Sequence, residues 1–476
     1  MNYISKTRTT VLLAVLLFGL LSISCNRRSL EGMLIVTEAP GDLQDRNVRS
    51  GDAWRYMIGA RLVAVDPDKP SSVKILGGDF YSACSPVISS DGKRMLFAAQ
   101  QKQDDVWQIW EMNLGNQKYR KITALEEDCI DPVILPNGRV IFSKQIPVYS
   151  LHSGHALFSC NADGSDLKQI TFHPNTNFAS AVLKDGRLLT VTRQLFPKQA
   201  NSMLMVLRPD GTKADLFYNN ESGAALLSRA SEAADGKIYF IEADSANLRH
   251  GNLVSIRYNR PLHSKTNLSE GITGDFVSVL PLTPEKLCVS YRSSDTESYA
   301  LFEFDPADKA IGKKIYSNPG YQVTDAVLVH AQERPKKLPS EVDLGVKTGL
   351  LMCQDINVTG TSVSGNYTFD RKAVKIEVLG IDSTLGIVDV EKDGSFYLKV
   401  AADMPFQIRT LDEKGIVVQE ACDWIWIRPN ERRGCIGCHE DTEMVPENQV
   451  PLAVKKSPVM IPLQDKTLSE KQVELE

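Results

Sequence analysis

The sequence predicts an all-β protein, in which a six-bladed β-propeller is followed by a small β-sandwich. Two observations lead to this fold class. Apolar runs that flank a tight-turn dipeptide recur along the middle of the chain, and a second set of short alternating runs follows them. A repeat of about 40–50 residues that contains four short strands is typical of a propeller blade.

The repeat is clearest at its turns, which lie 46, 48 and 50 residues apart and are Asp91-Gly92, Asn137-Gly138, Asp185-Gly186 and Asp235-Gly236. A fifth copy has Pro284-Glu285 at the same place. Asp-Gly and Asn-Gly favour the type I′ turn, in which both central residues have positive φ. We therefore expect a β-hairpin in each copy.

The sixth blade is expected to combine the two ends of the domain. The strands of "ARLVAVDPDKPSSVKIL" at the front and "YQVTDAVLVH" at the back would close the ring and remove its exposed edges. This interpretation assigns the propeller to residues 51–335, after a linker at 25–50. The copies resemble the TolB-type propeller repeat.

A Pro- and Lys-rich stretch, "ERPKKLPSE", is typical of a linker. Short alternating runs follow, among them "KAVKIEVLGI" and "GIVDVEKDGSFYLKVAA". They predict a small β-sandwich over residues 345–420. The last part of the chain, 446–476, is polar and contains several prolines, so we expect a tail with little structure of its own.

Between the sandwich and the tail lies "ERRGCIGCHED", which contains Cys435, Cys438 and His439 in the spacing C-x-x-C-H. This spacing is the attachment signature of c-type haem. Two thiols three positions apart can form thioethers to the two haem vinyl groups, and His439 can then ligate the iron. Residues 421–445 are therefore predicted to bind one covalent haem c. A Cys435–Cys438 disulfide or redox dithiol and a zinc site are the alternatives.

A second axial ligand is less clearly indicated. Met444 and Met460 follow the motif, and a methionine ligand raises the haem potential. His152 and His155 lie in the long connection "KQIPVYSLHSGHALF", and we expect the haem edge to lie near this loop. His173 is expected to be a turn or edge residue.

Other side chains near the motif are candidates for contacts with the haem. Trp424 and Trp426 alternate along a predicted strand and are expected on opposite faces, so that one of them stacks on the macrocycle or packs in the core. Arg432 and Arg433 can form charge-assisted hydrogen bonds with the haem propionates, or lie at the surface.

The N-terminus predicts export from the cytoplasm. Lys6 and Arg8 precede the apolar run "VLLAVLLFGLL", so residues 1–24 are interpreted as a signal peptide. The run ends in "LSISC", which resembles a bacterial lipobox and predicts lipidation of Cys25; an ordinary secreted protein is the alternative. We expect a lipid-anchored protein of the cell envelope, on the periplasmic side of the outer membrane. The remaining cysteines are expected to be mostly buried small hydrophobes.

Charge excludes one class of partner. The 54 lysine and arginine residues nearly balance the 59 aspartate and glutamate residues, and no basic patch indicates nucleic-acid binding. Three functions stay open, since the fold alone does not decide among them. They are electron transfer or redox sensing, with the propeller as a docking platform for a redox partner or envelope protein; haem catalysis on a small nitrogen- or oxygen-containing molecule; and a scaffold with a structural haem.

Taken in order, the propeller repeats, "DGSFYLKVAADMPFQIRTLDEKG" and "WIWIRPNERRGCIGCHED" resemble the family of the hydrazine synthase alpha subunit. The resemblance implies a propeller, a middle β domain and a c-type haem. In that family a tyrosine shortly after the motif ligates the iron and the motif histidine faces a zinc ion. Here Glu443 stands where that tyrosine is expected, and the sequence holds one C-x-x-C-H. The resemblance therefore implies a relative without hydrazine synthase activity.

Overall fold

The computed structural model describes residues 29–41, 43, 55–148, 152–198, 202–219, 225–243, 251–358, 371–438, 443 and 448–462. For His152 only the backbone is described. These residues form eight four-stranded sheets and a short 3-10 helix, Leu452–Lys455. Among them there is no helix of sufficient length and apolar character to cross a membrane.

Six of the sheets are the antiparallel blades of a propeller. Their strands are β1 (Leu34–Pro40), β2 (Arg61–Asp66), β3 (Lys69–Leu76), β4 (Ser82–Ile88), β5 (Arg94–Gln100), β6 (Gln108–Asn113), β7 (Tyr119–Lys121), β8 (Cys129–Ile134), β9 (Val140–Val148), β10 (His152–Cys160), β11 (Lys168–Gln169), β12 (Asn175–Val182), β13 (Leu188–Gln194), β14 (Ser202–Leu207), β15 (Asp215–Asn219), β16 (Ser231–Glu232), β17 (Lys237–Ala243), β18 (Gly251–Arg257), β19 (Thr266–Asn267), β20 (Asp275–Thr283), β21 (Lys286–Arg292), β22 (Ala300–Asp305), β23 (Ala310–Tyr316) and β24 (Tyr321–Leu328). Blade 1 contains β24 and β1 to β3, and blades 2 to 6 each take the next four strands in turn.

The six-bladed ring predicted from the repeat is confirmed. First strands of neighbouring blades lie side by side, as β24 does with β4, β4 with β8, and β20 with β24. Blade 1 closes the ring, because β24 pairs with β1 and Leu34 lies opposite Leu328. No blade edge at this junction is therefore left without a partner strand.

One boundary differs from the prediction. Strand β1 lies inside the stretch 25–50 that we expected to be a linker, so the propeller extends at least to Leu34. All but the last of its residues are buried. A strand that is paired on both sides and covered on both faces shows no alternation of apolar and polar residues, and the period-2 pattern therefore misses it.

The predicted hairpins form, but their turns are not of type I′. In each predicted dipeptide only the glycine has a positive φ, between 70° and 90° at Gly92, Gly138, Gly186 and Gly236. Each of these glycines donates its N–H to the carbonyl three residues earlier, as Gly92 does to Ser89 at 2.8 Å. This is a type I turn that ends in a left-handed glycine, the usual form of a longer hairpin loop.

The other two sheets form the β-sandwich. Their strands are β25 (Thr348–Cys353), β26 (Lys375–Leu379), β27 (Thr384–Asp389), β28 (Phe396–Ala401), β29 (Gln407–Leu411), β30 (Val417–Gln419), β31 (Arg432–Cys435) and β32 (Val459–Ile461). One sheet has the order β31-β25-β28-β32 and the other β27-β26-β29-β30. Leu351, Ile376, Leu398 and Phe406 are fully buried between them.

Two strands of the sandwich come from segments that the sequence analysis placed outside it. The haem motif begins in β31, which pairs in parallel with β25. The expected tail, 446–476, contains β32, which pairs in parallel with β28. Both are short edge strands with partners far away in the chain, so neither has a local pattern that marks it.

The linker after the propeller lies against the hairpin loops. Lys336 N–H donates to the Lys184 carbonyl at 3.0 Å, and Glu341 N–H donates to Asp210 Oδ2 at 2.7 Å. At Gly186 an added Cβ would lie 2.1 Å from the Lys336 carbonyl oxygen, so only glycine permits this approach. The linker thus brings the sandwich onto blade 4.

Glu431 joins the two domains. Its side chain is fully buried and accepts hydrogen bonds from the backbone N–H of Lys213 in the propeller, at 2.7 Å, and of Arg428, at 2.8 Å. The Arg433 guanidinium donates to the same carboxylate. Buried carboxylates are stable when their oxygens accept several hydrogen bonds. The contact therefore holds the motif segment against blade 4.

A candidate cofactor cavity between the propeller and the sandwich

A cavity of about 390 Å³ lies where blade 4 meets the sandwich. Pockets for cofactors and other ligands have volumes of about 300–1,000 Å³. Strands β12 to β15 form the wall on the propeller side, with Met203 and Met205 among its apolar members. The opposite wall includes Cys435 and Cys438 of the C-x-x-C-H motif.

The backbone of the sandwich places the two cysteines. Cys435 is the last residue of β31 and lies opposite Cys353 in the parallel pair. The pairing continues beyond the strand, since Gln354 N–H donates to the Cys435 carbonyl at 3.0 Å. Gly437 then passes so close to Val358 that an added Cβ would lie 2.1 Å from its carbonyl oxygen. This tight passage brings the thiols of both motif cysteines to one wall.

Two further cysteines that line the cavity, Cys353 and Cys422, lie outside the motif. Cys422 lines the same wall, and Ile408 N–H donates to its Sγ at 3.3 Å. Burial raises the pKa of the Cys422 thiol well above its usual value, and the nearby charge of a Cys438 thiolate adds to the effect. Cys422 is therefore a protonated, poorly nucleophilic thiol at neutral pH.

Both tryptophans line the cavity, so the expectation that they point to opposite faces was wrong. Residues two positions apart on an extended segment point to the same side. Trp424 Nε1 donates to the Phe196 carbonyl at 2.7 Å and thereby ties this segment to the propeller. The Trp426 ring packs on the His173 ring with a centroid distance of 4.6 Å.

His173 lies in the bend before β12, in agreement with the expectation of a turn residue, but the sequence analysis did not assign it to the site. It is buried and lines the cavity. Burial lowers the pKa of His173 to about 3, so the ring is neutral at neutral pH. Its Nδ1 accepts a hydrogen bond from Asn175 N–H at 3.2 Å. The dipeptide His173-Pro174 before a strand carries no periodic signal that distinguishes it from a loop.

Four buried polar atoms of cavity-lining side chains have no hydrogen-bond partner among the described residues. They are His173 Nε2, Asn175 Oδ1, Thr192 Oγ1 and Trp426 Nε1. Buried polar atoms in proteins are nearly always hydrogen-bonded. These atoms are therefore available for hydrogen bonds with a molecule bound in the cavity.

The two arginines of the motif segment differ in position. Arg433 lines the cavity, where its Nε and Nη2 donate to Glu431 Oε1. Arg432 is exposed and is not one of the lining residues. Burial raises the pKa of Asp215, a further lining residue, against the opposing effect of the Arg433 charge. Only Arg433 of the pair is therefore placed to meet a group bound in the cavity.

His155 does not reach the cavity, and the expected long loop is instead the hairpin of β9 and β10. His155 is buried, and its Nε2 lies 2.6 Å from the Tyr56 hydroxyl. The ring of Tyr56 also contacts Trp107 of blade 2. The expectation that the haem edge lies near His155 therefore has no support in the structure.

Two further residues near the motif also face away from the cavity. Met460 is 42% exposed, on the edge strand β32. Glu443, which stands where the family has its tyrosine ligand, accepts hydrogen bonds from Leu262 N–H at 2.7 Å and from Arg260 Nε at 3.2 Å. Glu443 thus binds blade 5. His439, Met444 and Cys25 lie outside the described residues.

The cavity fits a covalently attached haem. It has two thiols at the motif spacing on one wall, apolar methionine and tryptophan side chains, and four buried polar atoms that have no hydrogen-bond partner among the described residues. In the described part of the chain, no group of three or more histidine, cysteine, aspartate or glutamate side chains is placed to hold a metal ion.

Comparison with known proteins gives a consistent result. Residues 346–440 match the family "Hydrazine synthase alpha subunit middle domain". This range contains the two motif cysteines, His439 and most of the sandwich. Hydrazine synthase subunit alpha of Kuenenia stuttgartiensis is 23% identical over 80% of this chain. The chain is thus similar to the hydrazine synthase alpha subunit, and its residues 346–440 match the middle domain of that subunit.

The alignment spans 62% of the length of that relative. The solved hydrazine synthase of Kuenenia stuttgartiensis matches 89% of this chain and 71% of its own, with a TM-score of 0.77 and 19% identity. This match confirms the all-β fold of the chain. A TolB structure from Agrobacterium tumefaciens covers 61% of this chain and 91% of its own at 11% identity, with a TM-score of 0.41 that is too low to support an argument.

Proposed function

We propose that this chain is a c-type haem protein, with the haem held in the cavity between blade 4 and the sandwich through thioethers to Cys435 and Cys438. His439 follows directly and is the proposed iron ligand. The observation that carries the proposal is that both motif cysteines lie on one wall of a cavity large enough for a cofactor. A disulfide or a structural zinc site needs no such cavity.

The chain's own residues provide the environment of the cofactor. Met203, Met205 and Trp426 supply apolar contacts that exclude water, and Arg433 is the partner proposed for a propionate. A bound haem supplies one-electron redox chemistry, whose potential depends on the axial ligands and on burial. Because blade 4 forms one wall, the propeller is part of the cofactor site as well as a surface for partners.

The proposed role is electron transfer or redox sensing in the bacterial cell envelope, with the propeller as the docking platform. The signal peptide predicted at 1–24 and the lipidation predicted at Cys25 support this location. Labelling with a palmitate analogue should mark the wild type and not Cys25→Ala. Unlabelled wild-type protein would remove the anchor from the proposal.

A haem enzyme that acts on a small molecule is the second candidate. It is favoured by the polar atoms of the cavity that have no partner among the described residues, because a haem that only carries electrons does not need them. The similarity to hydrazine synthase points in the same direction. Optical spectra of the oxidised and reduced protein, with and without carbon monoxide, separate the two. A six-coordinate haem that does not bind carbon monoxide supports electron transfer.

Covalent attachment is tested first. The protein, expressed with periplasmic cytochrome c maturation, should retain haem through denaturing electrophoresis, and Cys435→Ala with Cys438→Ala should abolish this. Cys422→Ala is the matched control, because it removes a cavity thiol outside the motif and should leave the haem attached. Wild-type protein that carries zinc or a Cys435–Cys438 disulfide instead would overturn the proposal.

A further inference from the structure

The six blades contribute one equivalent residue each to the centre of the ring, in or just before their first strands. These residues follow one another at intervals of 46 to 50 along the chain and are Ser85, Asp131, Ala179, Arg229, Ser278 and Asp325. Neighbouring members are in contact, since Ala179 N–H donates to Asp131 Oδ2 at 2.9 Å. In the same way, Asp325 N–H donates to Ser278 Oγ at 3.2 Å. Five of the six are polar, so the centre of the ring is polar.

Four charged side chains meet at this centre. Arg55, from the segment before β2, bonds Asp131, and its Nη1 lies 3.9 Å from Asp325 Oδ1. On the other side, Arg229 Nη2 lies 3.9 Å from Asp131 Oδ1. In order of contact, the row of alternating charges is Arg229, Asp131, Arg55 and Asp325. The row has no net charge, but it ends in a cation on one side and in a carboxylate on the other.

The two ends of the row differ from its middle. Arg55 and Asp131 are 1% and 0% exposed, whereas Arg229 and Asp325 are 20% and 16% exposed. Both end members line a pocket of about 70 Å³ at the centre of the propeller. Arg229 Nε and Asp325 Oδ2 have no hydrogen-bond partner among the described residues. The inner pair therefore stabilises the ring, and the outer two side chains are available to a ligand.

The charges of the pocket select the class of ligand. Burial lowers the pKa of the Arg229 guanidinium, and the carboxylates of Asp131 and Asp325 do not fully offset this effect. A negatively charged group in the pocket would complete the balance. A simple anion, however, would also face Asp325, and a simple cation would face Arg229. A molecule that carries both charges is complementary to both ends of the row.

The volume of the pocket limits the size of this molecule. A buried water needs about 10–15 Å³ of cavity volume, so the pocket has room for about five non-hydrogen atoms. This is the size of glycine in its zwitterionic form. Hydrogen bonds to charged groups are roughly twice as strong as those between neutral groups, which favours a zwitterion over an uncharged amide of the same size.

We propose that the centre of the propeller binds a small zwitterion, an α-amino acid of about the size of glycine, with its carboxylate on Arg229 and its ammonium group on Asp325. Ser278 Oγ, which accepts the Asp325 N–H and lines the same pocket, can donate its own proton to the ligand. The site lies within the propeller and does not depend on the haem. It goes beyond the proposed function, because it adds a ligand to the domain that we propose as a docking platform.

Calorimetric titration of the full chain with glycine tests the proposal. Acetate and methylammonium serve as probes of similar size that each carry only one of the two charges. We expect saturable binding of glycine and binding of either single-charge probe that is weaker by about ten-fold or more. Leucine should also bind more weakly than glycine, because its side chain exceeds the volume of the pocket.

Two variants locate the binding site. Arg229→Gln and Asp325→Asn each remove one of the two charges, and each should weaken glycine binding by about ten-fold or more. Asp308→Asn is the matched control, because it removes an exposed carboxylate of the propeller outside the pocket and should leave the affinity unchanged. If Arg229→Gln does not fold, Asp325→Asn carries the test.

Three results would overturn the inference. The first is wild-type protein that does not bind glycine at millimolar concentration. The second is acetate that binds as tightly as glycine, because the pocket would then be an anion site. The third is a glycine affinity that is unchanged in every folded variant, because glycine would then bind elsewhere. None of these results affects the haem proposal, which denaturing electrophoresis tests separately.

Discussion

Two clusters of buried polar side chains in this protein are built in opposite ways. At the centre of the propeller, Arg55 and Asp131 are both almost fully buried and form an ion pair, with Arg55 Nε at 2.9 Å from Asp131 Oδ2. Ser85 accepts a hydrogen bond from Arg55, and the backbone N–H of Ala179 donates one to Asp131. At the cavity wall, by contrast, His173 Nε2 and Thr192 Oγ1 have no partner in the described part of the chain.

The difference separates a structural polar cluster from a functional one. Burial acts to raise the pKa of Asp131, but the Arg55 guanidinium outweighs it and holds this pKa below its usual value. A buried charge is tolerated only with such a partner. An unpaired buried donor costs about 1–3 kcal/mol, so stability alone does not favour the arrangement in the cavity. We propose that ligand binding is the reason for this arrangement.

Breaking the central pair should have the largest effect. Asp131→Asn removes the carboxylate that is hydrogen-bonded to the buried Arg55 and leaves it only the more distant Asp325, 3.9 Å from Arg55 Nη1. We expect a loss of about 3–5 kcal/mol in the free energy of unfolding. Denaturant unfolding measures it. Asp389→Asn is the control, because this aspartate is 84% exposed and its loss should change little. Equal stability of both variants would mean that the pair does not hold the ring together.

The second largest effect is expected at the contact between the propeller and the sandwich. Glu431→Gln weakens the hydrogen bonds to Lys213, Arg428 and Arg433, and we expect a loss of about 1.5–3 kcal/mol because these bonds involve a charged acceptor. Amide exchange at Lys213 should become faster as the sandwich loosens from blade 4. Glu413→Gln, at an exposed turn of the same domain, should have no such effect.

The cavity also predicts a pH dependence. The pKa of His173 is about 3 in the folded protein because of burial, whereas a histidine in the unfolded chain has about 6.5. Between these values the unfolded state binds more protons, so stability falls as the pH is lowered from about 6.5 to about 3. The contribution is up to about 1.4 kcal/mol per pH unit.

His173→Gln should remove this contribution and flatten the pH dependence of the unfolding free energy within that window. His330→Gln, at a less buried site, is the control and should leave the slope as in the wild type. An unaltered slope in His173→Gln would show that His173 does not resist protonation in the folded state.

The smallest effect is expected from a comparison of two threonines in β13. Thr190 Oγ1 bonds the Phe178 carbonyl at 3.1 Å and Ser180 Oγ at 3.0 Å, so Thr190→Val should cost about 1–3 kcal/mol. Thr192→Val removes a hydroxyl that has no partner among the described residues, and it should be neutral or stabilising by less than about 1 kcal/mol. Thermal unfolding compares them directly. A larger loss in Thr192→Val would mean that its hydroxyl already has a structural role.

The propeller could be predicted because its signals are local. Each hairpin has its turn glycine and its alternating strands within about fifteen residues, and the repeat makes the signal stronger. The C-x-x-C-H spacing is local too, since Cys435 and Cys438 must lie close enough together for one cofactor. The turn type, in contrast, could be assigned only from the structure, because Asp-Gly is compatible with more than one backbone conformation.

By itself, therefore, the sequence determined the class of fold, the number of blades and the cysteines of the motif. Only the tertiary structure decided that His173 and Trp426, more than 250 residues apart, meet in one cavity, and that His155 lies elsewhere. The same holds for β1, β31 and β32, whose partner strands are distant in the chain. Periodicity reports which face of a strand is buried, but the packing of one domain on another decides what that face meets.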